Sequence, residues 1–176
     1  SKLEAGIKST WRTTDAELQR LENNGEGWKE LVGNAGNNFL YEEDVNALYS
    51  EYTNKLNSWS YQLGLRAEQT ISNAEQVTDP QVFRRSYLNL FPSVLLSRQL
   101  RNNNSLNISY SRRINRPVSS QLNPFRDYQD QHNIYFGNPG LRPELSDALE
   151  LSHQKQWSKG SYTSTLFVRR STDKIL

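Results

Sequence analysis

Cysteine is absent from these 176 residues, which removes both a disulfide framework and a thiolate metal site and suits an oxidising compartment where stray thiols are a hazard. Methionine is absent too, and no charged segment leads into an apolar one at the start, so the chain reads as an excised or processed piece whose first residues already resemble the inside of a strand. No window approaches the eighteen or so apolar residues of a membrane-spanning helix. A strong charge of one sign is also missing: the net charge of +2 is too mild to announce a polyanionic partner. Catalytic signatures are lacking, with no G-x-S-x-G, P-loop, H-E-x-x-H or G-x-G-x-x-G, so no enzyme activity, metal or cofactor is expected. The two histidines, His132 and His153, have no partner at metal-ligand spacing and are expected at the surface.

What the chain does contain is alternation. Trp59, Tyr61, Leu63, Leu65 and Ala67 fall on one face of an extended segment, and Ser60, Gln62, Gly64, Arg66 and Glu68 on the other. Leu106, Ile108 and Tyr110 oppose Asn107, Ser109 and Ser111, and Leu3, Ala5, Ile7 and Trp11 oppose Glu4, Lys8 and Arg12. Tyr162, Leu166 and Val168 repeat the pattern less cleanly, because Ser164 shares their face. The pattern predicts about seven strands, near 2–13, 45–53, 58–71, 86–98, 105–114, 146–155 and 161–171. "VNALYSEY" alternates poorly, and Pro92 within "LFPSVLLS" costs a ladder donor, which predicts a bulge or an edge there. The mean hydropathy of −0.83 suits a soluble protein, yet strands with one oily and one wet face, joined by polar loops, also average to such a value while spanning a membrane.

The connections alternate in length: long over 14–44, short at "NKLN", medium over 72–85, short at "QLRNNN", long over 115–145, short at "QWSKG". That is an up-and-down meander with two unlike ends, as in a transmembrane barrel with tight turns at one rim and long loops at the other. Trp59 and Trp157 fall at the short-turn end and Trp11 near the long-loop end, the placement of two interfacial girdles. The first long loop has helix-like runs in "DAELQRLE" and "GWKELVGN".

Glu42, Glu43 and Asp44, and the pair Asp127 and Asp130, have oxygen ligands for a hard cation but lack the glycine-punctuated spacing of a dedicated site, so solvated acidic loops are expected. Arg112, Arg113 and Arg116 beside Tyr110 form a rim cluster in which Arg113 continues the wet face and Arg112 the oily one, where it can snorkel. Arg66, Glu68 and Arg113 are the candidate ligand-facing residues of a barrel lumen, with Arg66 and Glu68 placed to pair with each other or across strands. Pro139 and Pro143, with Gly137 and Gly140, make "GNPGLRPE" a rigid corner, and Glu144 is placed to pair with a rim arginine such as Arg116.

"GLRAEQT", "YLNLFPSVLLS", "LNISYSRRINRP", "LNPF" and "GNPGLRPE" follow one another in the order and spacing of TonB-dependent outer-membrane receptors, and the chain from about Val45 onward resembles the branch called the outer-membrane β-barrel family. Its structural motif residues here are Arg116, Pro117, Asn123, Pro124, Gly137, Asn138, Pro139, Pro143 and Glu144. Gly140 stands where the family commonly has a polar residue. The resemblance implies an all-β antiparallel meander, residues 1–176 being part of a larger transmembrane barrel in the bacterial outer membrane. It implies as partners outer-membrane lipid, a plug domain and TonB belonging to the intact protein, and an unknown nutrient ligand, with no nucleic acid. The alternative is a soluble all-β module binding carbohydrate or protein. A seven-strand wall on its own has two open edges and an oily face, so an isolated piece is expected to self-associate or to close into a sandwich.

Overall fold

The computed structural model describes residues 1–30, 36–78, 80–130 and 133–175. Their chain order is β1 (Lys2–Leu18), β2 (Leu21–Asn23), β3 (Trp28–Glu30), β4 (Asn37–Leu56), β5 (Trp59–Gln76), β6 (Gln81–Gln99), β7 (Asn104–Asn115), α1 (Ser119–Leu122), β8 (Asp127–Asp130), β9 (Asn133–Tyr135), β10 (Glu144–Trp157) and β11 (Gly160–Thr172). Seven of the strands form one antiparallel sheet in the order β1-β4-β5-β6-β7-β10-β11, each neighbour following the last along the chain. β2 pairs with β3 and β8 with β9 as small hairpins within the two longest connections. The sheet remains single and open, so the expected collapse into a sandwich does not occur.

The alternation read in the sequence becomes two faces through the register. Leu63 lies opposite Val94, Leu65 opposite Pro92 and Ala67 opposite Leu90 on the outer face, while Gly64 meets Ser93 and Glu68 meets Asn89 on the concave one. "VNALYSEY" alternates poorly because Val45, Ala47 and Tyr49 face the concave side; Tyr49 lies opposite Gly6, its ring filling the space a Cβ there would need. Tight turns close one end. Asn57, Asn102 and Asn103 adopt the left-handed conformation that asparagine tolerates, so the run "NNN" is the turn chemistry of the β6–β7 hairpin.

At the other end β4, β5 and β6 run to 20, 18 and 19 residues, longer than the alternation predicted. The connection expected over 72–85 shrinks to 77–80, and the one expected over 14–44 to 19–36. "DAELQRLE" is extended rather than helical: Asp15 to Leu18 complete β1 against β4, and Leu21 to Asn23 form β2. The start of "GWKELVGN" is the strand β3, and residues 31–35 lie outside the described residues. The strands outrun the simple alternation because their polarity inverts. Along β5 the outer side carries Leu63, Leu65 and Ala67 low down but Asn73 and Glu75 near the top. The concave side carries Gln62, Arg66 and Glu68 low down but Ala74 at the top. That upper concave face is the core: Phe39, Tyr41, Ala74 and Leu122 are buried together, with Phe83 and Leu141 packed against them.

Pro92 sits at an edge, and the backbone shows why. Gln99 gives its N–H to Ser58 on the β5 side and Leu100 to Asn104 on the β7 side, both at 2.8 Å. Even-numbered residues of β6 therefore point their N–H groups toward β7, and Pro92 has none to give. The β6–β7 ladder ends at the adjacent pair Ser93–Ser111, whereas β5 stays paired with β6 up to Gln81. Above Pro92, β6 is paired on one side only.

Candidate functional site

Where β7 ends, the chain turns inward beneath the upper half of β6 and its first side chain is Arg116. Its Nη2 donates to Glu68 Oε2 at 2.6 Å and to Thr70 Oγ1 at 3.0 Å, both on β5, and its Nε lies 4.0 Å from Glu43 Oε2 on β4. Glu68 also receives Arg66 at 2.9 Å; Glu43 accepts the Tyr41 hydroxyl at 3.1 Å and lies 3.9 Å from Arg12. Thr70 is 0% exposed, Glu43 6% and Glu68 7%. Burial opposes the charge of Arg116, but the hydrogen bond to Glu68 and the influence of Tyr87 and Glu68 together outweigh it, so the guanidinium is held above its ordinary value. Such a buried network costs desolvation; Arg116 Nε makes no hydrogen bond among the described residues, so the network rests on the Nη2 bonds to Glu68 and Thr70.

Two expectations are corrected here. Arg116 is taken by Glu68 and Glu43, not by Glu144, because the chain dives inward at Arg116 while Glu144 re-enters the wall opposite Asn115. Glu42, Glu43 and Asp44 are not a solvated loop but part of β4, with Glu43 buried and Glu42 turned outward. Strand alternation is the signal that finds Glu43, since it shares a face with Tyr41 and Val45. His132 lies outside the described residues, as do the side chains of Asp127 and Asp130.

The corner folds onto this network. Gly137 donates to Asn123 O and Asn138 to Gln121 O, each at 2.7 Å, tying the corner to α1 and the residue that follows it. A Cβ on Gly137 would overlap those carbonyls, so glycine is required by close approach. Asn138 Oδ1 accepts Gly140 N–H at 2.7 Å, and Asn123 Oδ1 accepts Phe125 N–H across Pro124 at 3.0 Å, two Asx turns that stiffen the ends. Arg85 of β6 donates to the carbonyls of Pro139 and Leu141, fastening the corner to the wall. Pro117, Pro139 and Pro143 close over a cavity of about 20 Å³ that Arg116, Tyr87 and Leu122 also line.

A model of the outer membrane protein beta-barrel family matches residues 1–176, the whole chain rather than the part from Val45. The chain belongs to that family. No curated protein matches it. It is thus part of a bacterial outer-membrane barrel, with its outer face against lipid and its concave face toward the lumen, and not the soluble module. Trp59 to Ile71 then cover roughly 40 Å along β5 at about 3.3 Å per residue, or about 28 Å of height at a tilt near 45°, close to the ~25 Å apolar band of such barrels. Trp11 lies in the row of Asp44 and Ile71, and Trp59 and Trp157 flank the short turns.

In the lumen of this family member, Arg66 lies over the Phe91 ring at 5.0 Å and is paired to Glu68. Arg113 projects from β7 into the same hollow of about 620 Å³, with Lys8 and Glu51 on its far side. Arg112 faces outward beside the end of β7, where it does not reach away alone: Asp147 on β10 accepts its Nε at 2.7 Å and its Nη2 at 3.1 Å, and Tyr110 adds a hydroxyl at 2.7 Å. A forked pair of this kind lowers the cost of placing charge on a face next to lipid.

Proposed function

We propose that this chain is wall of a TonB-dependent receptor importing a nutrient ligand, with the hollow around Arg66, Glu68 and Arg113 as the luminal path and the long loops as the capture surface. The observation that carries this reading is the inward fold of the loop at Arg116, at Gln121 to Asn123 and at Gly137 to Leu141. Arg116 and Arg85 fasten the loop to the concave face, where Leu122 and Leu141 pack with Phe39 and Ala74, and in a closed barrel a loop held there would narrow the mouth. The order of "GLRAEQT", "SRRINRP" and "GNPGLRPE" supports it by resemblance to such receptors. The plug and TonB are partners of the intact protein, and no catalysis is assigned to the wall. Planar-bilayer recording of the intact protein, with a pull-down of purified TonB, tests the proposal. A receptor stays closed to small ions and binds TonB; a steadily conducting pore that ignores TonB is a porin and contradicts it.

A further inference from the structure

β6 carries a free edge that closing the barrel cannot satisfy. Additional strands can join at β1 and β11, the ends of the sheet, but β6 lies in its middle, between β5 and a β7 that is no longer paired with it above Pro92. Val82, Arg84, Ser86 and Leu88 are exposed, and their N–H and C=O groups point to the vacant side with no backbone partner among the described residues. Beside this edge lies a cleft of about 610 Å³ whose other wall is Gly140, Arg142, Pro143 and Leu145. Among the described residues, Arg84, Arg85 and Arg142 line it against the single carboxylate of Asp173. Arg85 spends its hydrogen bonds on neutral carbonyls, and Arg84 and Arg142 have no carboxylate partner among the described residues, so the cleft is net positive.

We infer that this edge docks an extended, acidic peptide segment, which adds as a strand to β6 with its carboxylates toward Arg84 and Arg142. A row of alternating donors and acceptors is met in full only by another backbone, whereas a lipid phosphate can accept but not donate. The arginines set the sign of the partner, and the cleft has the size of an ordinary ligand site. The site is independent of whether the barrel imports anything, so its test is separate from conductance and TonB binding.

The probe is an end-capped, fluorescent hexapeptide alternating aspartate and valine, titrated by anisotropy onto the intact protein in detergent. It is expected to bind, and its N-methylated form, which cannot pair, is expected not to. Ser86→Pro removes an N–H that serves no native ladder bond, so the barrel should fold as before while affinity falls about tenfold or more. Arg84→Glu should weaken binding by a similar factor and favour a lysine–valine peptide instead. Equal binding of the N-methylated peptide, displacement of the probe by purified lipopolysaccharide with no effect of Ser86→Pro, or no binding to a barrel shown to be folded by its heat-dependent gel shift would each overturn the proposal.

Discussion

The lower and upper halves of the same wall obey opposite rules. Below, Leu63, Leu65 and Ala67 of β5 face out and Gln62, Arg66 and Glu68 face in; above, Asn73 and Glu75 face out and Ala74 faces in against Phe39 and Leu122. The strand itself does not change: the ladder from Trp59 to Gln76 is continuous. What changes is the surrounding medium. Against lipid the outer face must be apolar and the lumen side carries the polar groups, whereas above the bilayer water takes the outer face and the infolded loop supplies a core on the inside. Glu43, Glu68, Thr70 and Arg116 mark the level at which one rule passes into the other.

Substitutions break or sharpen this contrast. The largest effect is expected for Phe39→Ala, at 1% exposure in the upper core, which should cost about 3–5 kcal/mol in urea unfolding from liposomes and loosen the loop corner to protease. Leu65→Arg on the lipid face should cost about 2–4 kcal/mol by the same titration. Glu68→Gln strips the charge that answers Arg116 and should cost about 1–3 kcal/mol, less than a fully sealed pair because the Arg116 side chain is 20% exposed and Glu43 remains near. Glu42→Arg, outward on the upper half, should change stability by no more than about 0.5 kcal/mol, although a charge reversal on the lower outer face would be severe.

The same contrast explains what was legible in the chain. All seven wall strands could be placed, most of them from alternation, because within the bilayer band the outer face is mainly apolar; β4 alternates poorly because Val45, Ala47 and Tyr49 turn toward the lumen. Their upper ends could not, since Ile71 is the last outward apolar residue of β5 before Asn73 and Glu75, and a fixed rule of oily outside stops there. The edge at Pro92 was readable because a missing N–H is a local property, but which side it faced required the register. Arg66 and Glu68 could be paired from their spacing of two. The partners of Arg116 could not, because Glu68 and Thr70 lie 46 to 48 residues away on β5, Glu43 lies farther still on β4, and all three depend on the inward path of the loop. In the sequence Gly137 is one residue of a rigid corner, and what requires glycine there is contact with the carbonyls of Gln121 and Asn123, which only the fold reveals.

The inversion of polarity along one strand is the central claim, and spin labels along the outer side of β5 test it most directly. With single cysteines replacing Leu63, Leu65, Ala67, Asn73 and Glu75 of the intact protein in liposomes, collision with oxygen should dominate at the first three positions. A water-soluble nickel complex should dominate at the last two. Oxygen-dominated labels at 73 and 75, or nickel-dominated labels at 63 and 65, would contradict the account.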